Sequence, residues 1–377
     1  MHSSTDEKSD GQRSHTSMLT RSDLQLALPQ LSEKLVRLVR LDHLFTVTDD
    51  NAVVQHARFS VPYKREGYAV DDSARALLFA AKAPRYWPDT RLGDLQRKLL
   101  TFLLTMQEED GKFHNLMDFS HRITDEASVG DHLGRALWAT GAVISSNVPP
   151  GMKRSARLLF DRALPHARTS PWLRTKAYAC LALHERLIEE PDDQNLRATM
   201  SSVSTDISKA YNASKASDWF WFENILSYDN PRLSQAMLRA YEILADRALL
   251  GEAEESLQFL YRSELHDETY APIGNAGWYI RGKQKALFDQ QPIEPGAMME
   301  AASIAYRLTK HEIYQDMAKR ALFWFLGENM KHVKVYDEAT GACCDGIGEL
   351  GLNENQGAES TIAFLLGTCE LLTSVTA

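Results

Sequence analysis

The sequence predicts an all-α fold, an (α/α)6 toroid, on three observations. Apolar residues recur at helical spacing along most of the chain. One kind of helix, rich in small residues, returns six times. A second, more charged kind fills the gaps between its copies.

The small-residue helices are DDSARALLFAAKA from Asp71, EASVGDHLGRALWATGAV from Glu126, PWLRTKAYACLALHERL from Pro171, PRLSQAMLRAYEIL from Pro231, EPGAMMEAASIAYRLT from Glu294 and NQGAESTIAFLLGTCELL from Asn355. Aligned on Arg75, Arg135, Lys176, Gln235, Ala297 and Glu359, they are spaced by 60, 41, 59, 62 and 62 residues. A period near 60 is a pair of helices with their connections. Small residues along most of each helix predict that it is enclosed on several sides. The intervening helices start near Leu24, Arg91, Lys153, Leu196, Glu252 and Ile313, and their charged faces predict contact with water.

Six hairpins closing into a ring have two unequal ends. Inner-to-outer connections such as 84–90 and 147–152 are short. Outer-to-inner connections are mostly long, at 42–70, 108–125, 214–230, 266–293 and 330–354. Long ordered loops in a compact domain are usually functional. They open where the inner helices begin, and positive helix-dipole ends favour carboxylates there. Function is expected on that face.

Composition narrows the field. Of 377 residues, 44% are hydrophobic and 25% charged, which excludes wholesale disorder. The net charge of −9 disfavours nucleic acid and anionic membranes. Length alone suggests two or three domains, whereas the repeat predicts a single domain over 21–377. Residues 1–20 are polar, lack a signal-peptide core, and read as a disordered tail. No uninterrupted apolar run reaches the roughly 18 residues of a membrane span. Cys180, Cys343, Cys344 and Cys369 form no C-x-x-C pair and read as buried thiols. A cytoplasmic location is the expectation. Serine-hydrolase, P-loop and dinucleotide fingerprints are missing from the sequence, and no cofactor or metal is expected.

The long loops gather acids and aromatics. GYAVDDSARAL places Tyr68, Asp71 and Asp72 at an inner helix start, where capping and a site are both open readings. DEASVGDHLGRALWATG has Asp131 and Arg135 four apart, the spacing of an ion pair within one helix. His114, His121 and His132 have no metal-ligand spacing. DWFWFENILSYDNPRLSQ combines Trp219, Trp221, Glu223 and Asn224, mixing stacking surfaces with a carboxylate and an amide. Sugar rings ask for that mixture, although an aromatic plug in the ring has the same composition. GNAGWYIRGKQKALFDQQPIEPGAMMEA adds Asn275, Trp278, Asp289, Gln290, Gln291 and Glu294, with Arg281, Lys283 and Lys285 able to steer a phosphate or uronate. The last loop adds Asp345, Asn355 and Gln356, and Glu359 lies in the first turn of the final helix between small residues.

The runs GYAVDDSARALL, GNAGWYIRGKQKALFDQQPIEPGAMMEA and YDEATGACCDGI…LNENQGAESTIAFLLG resemble the bacterial six-hairpin glycosidase-like proteins, which often stand beside or fused to glycosyltransferases. The resemblance spans roughly residues 42–370. It implies a toroid, a carbohydrate ligand and a possible glycosyltransferase partner, but no settled reaction. Glycoside hydrolysis needs two carboxyl groups, one to protonate the leaving oxygen and one to activate water or attack. Asp72, Glu223, Glu294 and Glu359 are the candidates for that pair, in a hydrolase or phosphorylase working in the toroid cavity. Tyr68, Trp219, Trp221 and Trp278 are the expected sugar platform. Alternatives are a silent glycan binder, a sugar epimerase and, on the single QEEDGKF run, a terpenoid cyclase.

Overall fold

The computed structural model describes Leu19 and residues 21–376. The tail expected over 1–20 lies outside the described residues except for Leu19, which is 4% exposed and packs into the core.

Small and apolar residues at 3.6-residue spacing form the inner helices α3 (Val70–Lys82), α5 (Asp131–Ser145), α7 (Leu173–Glu189), α9 (Pro231–Leu244), α11 (Ile293–Thr309) and α13 (Ala358–Thr376). Each packs on the next, and α13 closes the ring against α3. Outside them lie α1 (Leu28–Leu38), α4 (Arg91–Met106), α6 (Pro150–Thr169), α8 (Gln194–Ser214), α10 (Arg247–Ser263) and α12 (Glu312–Phe325), and the short α2 (Asp42–Thr46) precedes the first long loop. Helix starts differ from the expected ones by up to five residues, because helix ends are set by capping and loop contacts as well as by period. Along Ala358–Val375, α13 is long and apolar enough to cross a membrane, yet 83% of that stretch is buried inside the ring.

Glycine sets how tightly the inner helices meet. A Cβ on Gly296 would lie 2.6 Å from the Ala363 carbonyl oxygen, and one on Gly141 would lie 2.8 Å from that of Ala182. Backbone therefore touches backbone across the α11–α13 and α5–α7 seams. Below its mouth the axis is filled with side chains. Arg75, Arg135, Trp138, Tyr178, Asp229 and Arg232 leave a cavity of about 10 Å3, room for about one water. The open central cavity expected from the sequence is thus closed, and any ligand site is confined to the ends.

The long loops knit into a collar. β3 (Tyr68–Ala69) pairs antiparallel with β4 (Leu116–Met117), and β5 (Ile225–Leu226) with β8 (Tyr279–Ile280). Gln290 bridges to Ile347. The last loop returns to the first where Asn355 Oδ1 accepts from the Ala57 amide at 2.8 Å. The hairpins β1–β2 (Ala57–Arg58, Val61–Pro62), β6–β7 (Leu265–His266, Thr269–Tyr270), β9–β10 (Tyr336–Asp337, Ala342–Cys343) and β11–β12 (Gly346–Gly348, Gly351–Asn353) stiffen it. All four cysteines are free and buried, as their sequence context suggests.

Candidate functional site

Acids in the first turn of an inner helix have two uses, capping their own helix or reaching across the axis. In α3 Asp71 reaches Arg135 of α5, while Asp72 pairs within its own helix. Ala69 occupies the cap position, with no side-chain cap bond. Asp72 accepts from Arg75 Nη1 at 3.0 Å, and Arg75 Nη2 reaches Glu359 of α13 at 2.8 Å. One guanidinium thus holds two carboxyl groups from neighbouring helices, their bonded oxygens at most about 8 Å apart.

Their surroundings are unequal. Asp72 is 7% exposed, whereas the side chain of Glu359 is 40% exposed. Burial pushes the Asp72 carboxyl up to about 7 against the pull of Arg75, and the charges of Glu359 and Asp71 add to the rise. Asp71 differs again. Burial would raise it, but Arg135 and Arg75 hold it below the usual carboxylate range. It accepts from Arg135 Nη1 at 2.5 Å and from Asn115 Nδ2 at 3.1 Å.

Arg135 continues to Asp229 at 3.5 Å, and Asp229 to Arg232 at 3.1 Å. Arg232 ends on Glu300 at 2.9 Å. Tyr178 donates to Asp229 and lies under the Arg135 guanidinium, 4.8 Å from ring centre to Cζ. The ion pair expected between Asp131 and Arg135 is therefore replaced. Asp131 instead accepts from Thr175 Oγ1 at 3.0 Å and from the Tyr228 hydroxyl. A helical i,i+4 spacing permits a pair without requiring it, and the axis supplies Arg135 with more deeply buried acids.

Glu223 and Glu294 belong to a second cluster. Glu223, its side chain 29% exposed, pairs with Arg174 Nη1 at 2.9 Å. Arg174 also reaches Ser227 and Asn230. Asn230 in turn donates to Glu294 from its amide at 3.2 Å and from Nδ2 at 3.1 Å. Glu294 is 2% exposed, and burial, with Glu264 and Asp229 nearby, drives it well above the usual range. Its carboxyl group is taken up by the amide and side chain of Asn230.

Several expected ligand contacts are corrected. Trp221 is fully buried and Trp219 2% exposed, Trp219 packing edge-on against Phe259 and Tyr279. Both rings plug the collar and present no face to a sugar. Tyr68 is also buried, its hydroxyl donating to Asp49 at 2.7 Å. Gln290 is consumed by Trp324, which donates to its Oε1 at 2.9 Å. Lys285 donates to the carbonyls of Ser263 and Leu265, which removes it from anion steering. Asp345, Asn355 and Gln356 seam the last loop to the first. Asp345 accepts from Asn355 and from Ser360 at 2.7 Å, and the Gln356 carbonyl bonds His43 at 2.8 Å. Gln291 gives its carbonyl to the Glu294 amide. Asn224, Asn275, Trp278 and Asp289 remain solvent-facing, with Trp278 anchored by Nε1 to Asn275 Oδ1 at 2.8 Å.

The arginines were missed as site residues, though a signal for them exists. An acid followed three or four residues later by Arg recurs as Asp71–Arg75, Asp131–Arg135 and Asp229–Arg232, at the starts of three inner helices.

No protein-family model matches the sequence, and no curated protein does. Solved structures do match. A sugar epimerase from a ruminal bacterium superposes with a TM-score of 0.72 at 12% identity, over 92% of this chain and 99% of that one. An α-mannanase of Bacteroides thetaiotaomicron gives 0.61 at 10% identity, over 93% and 97%. A cellulase of C. cellulolyticum gives 0.60 at 9% identity, over 88% and 90%. All three are six-hairpin, glycosidase-like (α/α)6 toroids. This chain has that fold. Identity this low speaks to architecture, and the chemistry has to come from the side chains.

Proposed function

We propose that the protein is a carbohydrate-active enzyme that cleaves a glycosidic bond in an oligosaccharide or polysaccharide lying across the collar. The observation that carries this reading is the Asp72–Arg75–Glu359 group. Two carboxyl groups on one guanidinium, one raised to about 7 by burial and one exposed beside a cation, match the division between proton donor and carboxylate. Asp72 protonates the leaving glycosidic oxygen. Glu359 attacks the anomeric carbon or takes a proton from the attacking water. Arg75 fixes both, and Asp71 with Arg135 fixes the wall beside them.

The distribution of aromatic surface supports a chain-like substrate. The five most exposed aromatic residues among the described residues are Phe59, Phe119, Trp172, Tyr228 and Trp278. Each lies on an outer-to-inner connection, the end that bears Asp72 and Glu359. Exposed ring faces spread around a shallow mouth suit several sugar units better than one engulfed monosaccharide.

An epimerase is the second reading, supported by the sugar epimerase, D-mannose isomerase and cellobiose 2-epimerase among the similar folds. Against it, the histidine beside Asp71 is His132, which is 7% exposed and bonded through Nε2 to the Phe113 carbonyl at 3.0 Å. Incubating the protein with an oligosaccharide panel, with and without orthophosphate, and in D2O, tests both. Reducing ends formed without phosphate support hydrolysis, and dependence on phosphate makes the enzyme a phosphorylase. Deuterium at C2 with no chain shortening replaces this reading with epimerisation.

A further inference from the structure

The opposite end of the ring, where the inner helices finish, encloses a larger space than the axis does. A pit of about 630 Å3 opens there, within the range of small-molecule sites. Among the described residues, the inner-to-outer turns that border it are short. All six inner helices contribute to its wall.

The charged groups of that wall alternate in sign. Lys82 of α3 pairs with Glu185 of α7 at 2.7 Å and approaches Glu370 of α13 at 4.0 Å. Arg239 of α9 takes Glu370 at 2.9 Å and Glu242 at 2.7 Å, and Arg307 of α11 takes Glu242 at 2.7 Å. Ser145 of α5 donates to Glu185 at 3.4 Å. Within these ion pairs three bases and three acids neutralise one another, while a fourth base of the lining, Arg85, is exposed. An ion entering among the six paired groups would have to displace a partner already in place.

A hydroxyl has no such conflict, because it donates to a carboxylate while accepting from the neighbouring guanidinium or ammonium. Between the ion pairs, Ala81, Tyr86, Ile188 and Ile243 give the wall apolar patches for C–H faces. His184 is 6% exposed and lies against Glu242. Burial and the charge of Arg239 hold it neutral. Its Nε2 faces Glu242 at 3.3 Å and so bears the proton.

We propose that this pit is a second binding site, for a neutral polyhydroxylated molecule of about monosaccharide size, separate from the acids at the other mouth. The inference stands on the pit's own side chains and holds whichever reaction the other mouth performs.

Saturation-transfer NMR on the full-length protein with D-mannose, D-glucose and myo-inositol as probes tests it. The wild type should give a signal for at least one probe. Ser146→Trp and Ile188→Trp, which obstruct the pit without removing an ion pair, should reduce that signal roughly tenfold, with helical circular dichroism checked for each. Asp72→Asn and Glu359→Gln should leave it in place. No signal from the wild type with any probe overturns the proposal, as does a signal that survives both tryptophan variants. A signal lost in Asp72→Asn and kept in both tryptophan variants also overturns it, by assigning the ligand to the other mouth.

Discussion

The two mouths of the ring are built from the same six helices and solve opposite problems. At the end where the inner helices start, long loops fold inward, and acids meet arginines in unequal environments, so that burial raises the Asp72 carboxyl to about 7 while Arg135 and Arg75 hold Asp71 below the usual carboxylate range. Where the helices finish, short turns stand aside, and each acid has a close cationic partner. Burial there would raise Glu185, yet Lys82 outweighs it and brings the carboxyl to about 2. A mouth with mismatched proton affinities is suited to moving a proton. A mouth with matched charges is suited to holding shape.

The sharpest way to break this comparison is at Asp72. Asp72→Asn and Glu359→Gln should each lower turnover between about 100- and 10,000-fold, the span of general acid–base effects, with secondary structure unchanged. Steady-state assays on whichever oligosaccharide is cleaved decide it, and normal rates in both variants would falsify the assignment. At the other mouth, Glu242→Gln leaves Arg239 and Arg307 without their shared carboxylate. It should cost about 3–5 kcal/mol in urea unfolding, as for other broken buried pairs.

Trp221→Ala should cost a similar amount, about 3–5 kcal/mol, because that ring is core. Titration separates the mouths further. Turnover that needs protonated Asp72 should decline as pH rises through about 7. Stability follows the same group. Between about pH 4 and 7 the folded chain keeps a proton on Asp72 that the unfolded chain has shed, so stability falls as pH rises across that window. Glu185 has the reverse sign. Its contribution is present above its unfolded value, about pH 4.5, and is lost as pH falls towards 2. Unfolding midpoints measured across pH 3–9 should fall less steeply in Asp72→Asn than in wild type, the remaining slope coming from other raised carboxyls such as Glu294. The smallest effect belongs to Trp278→Ala, which should raise KM severalfold, up to about tenfold for a lost stacking face, with little change in unfolding midpoint.

The architecture was readable in the sequence because helical periodicity and a 60-residue recurrence are properties of one dimension. Asp72 and Glu359 were readable as acids at inner helix starts. What they touch was not, since Arg75 joins Asp72 to Glu359, 287 positions apart in the chain. The tryptophans failed for a different reason. An aromatic that stacks on sugar and one that plugs a collar have the same composition around them, and only the exposure of Trp278 and the burial of Trp221 separate them. Arg135 looked like half of an ordinary helical pair with Asp131 because i,i+4 spacing is indifferent to which direction a side chain takes.

The glycine seams have an evolutionary corollary. Where Gly296 lies against the Ala363 carbonyl and Gly141 against that of Ala182, the helices are already as near as backbones can come. The circumference of the ring is then fixed by main chain, and trimming side chains cannot retune its bore by degrees. Relatives that come to accept a different ligand must change by lengthening, shortening or redecorating the loops, while the seams stay small. A substitution of either glycine by alanine would act as a wedge between staves, felt at both mouths at once.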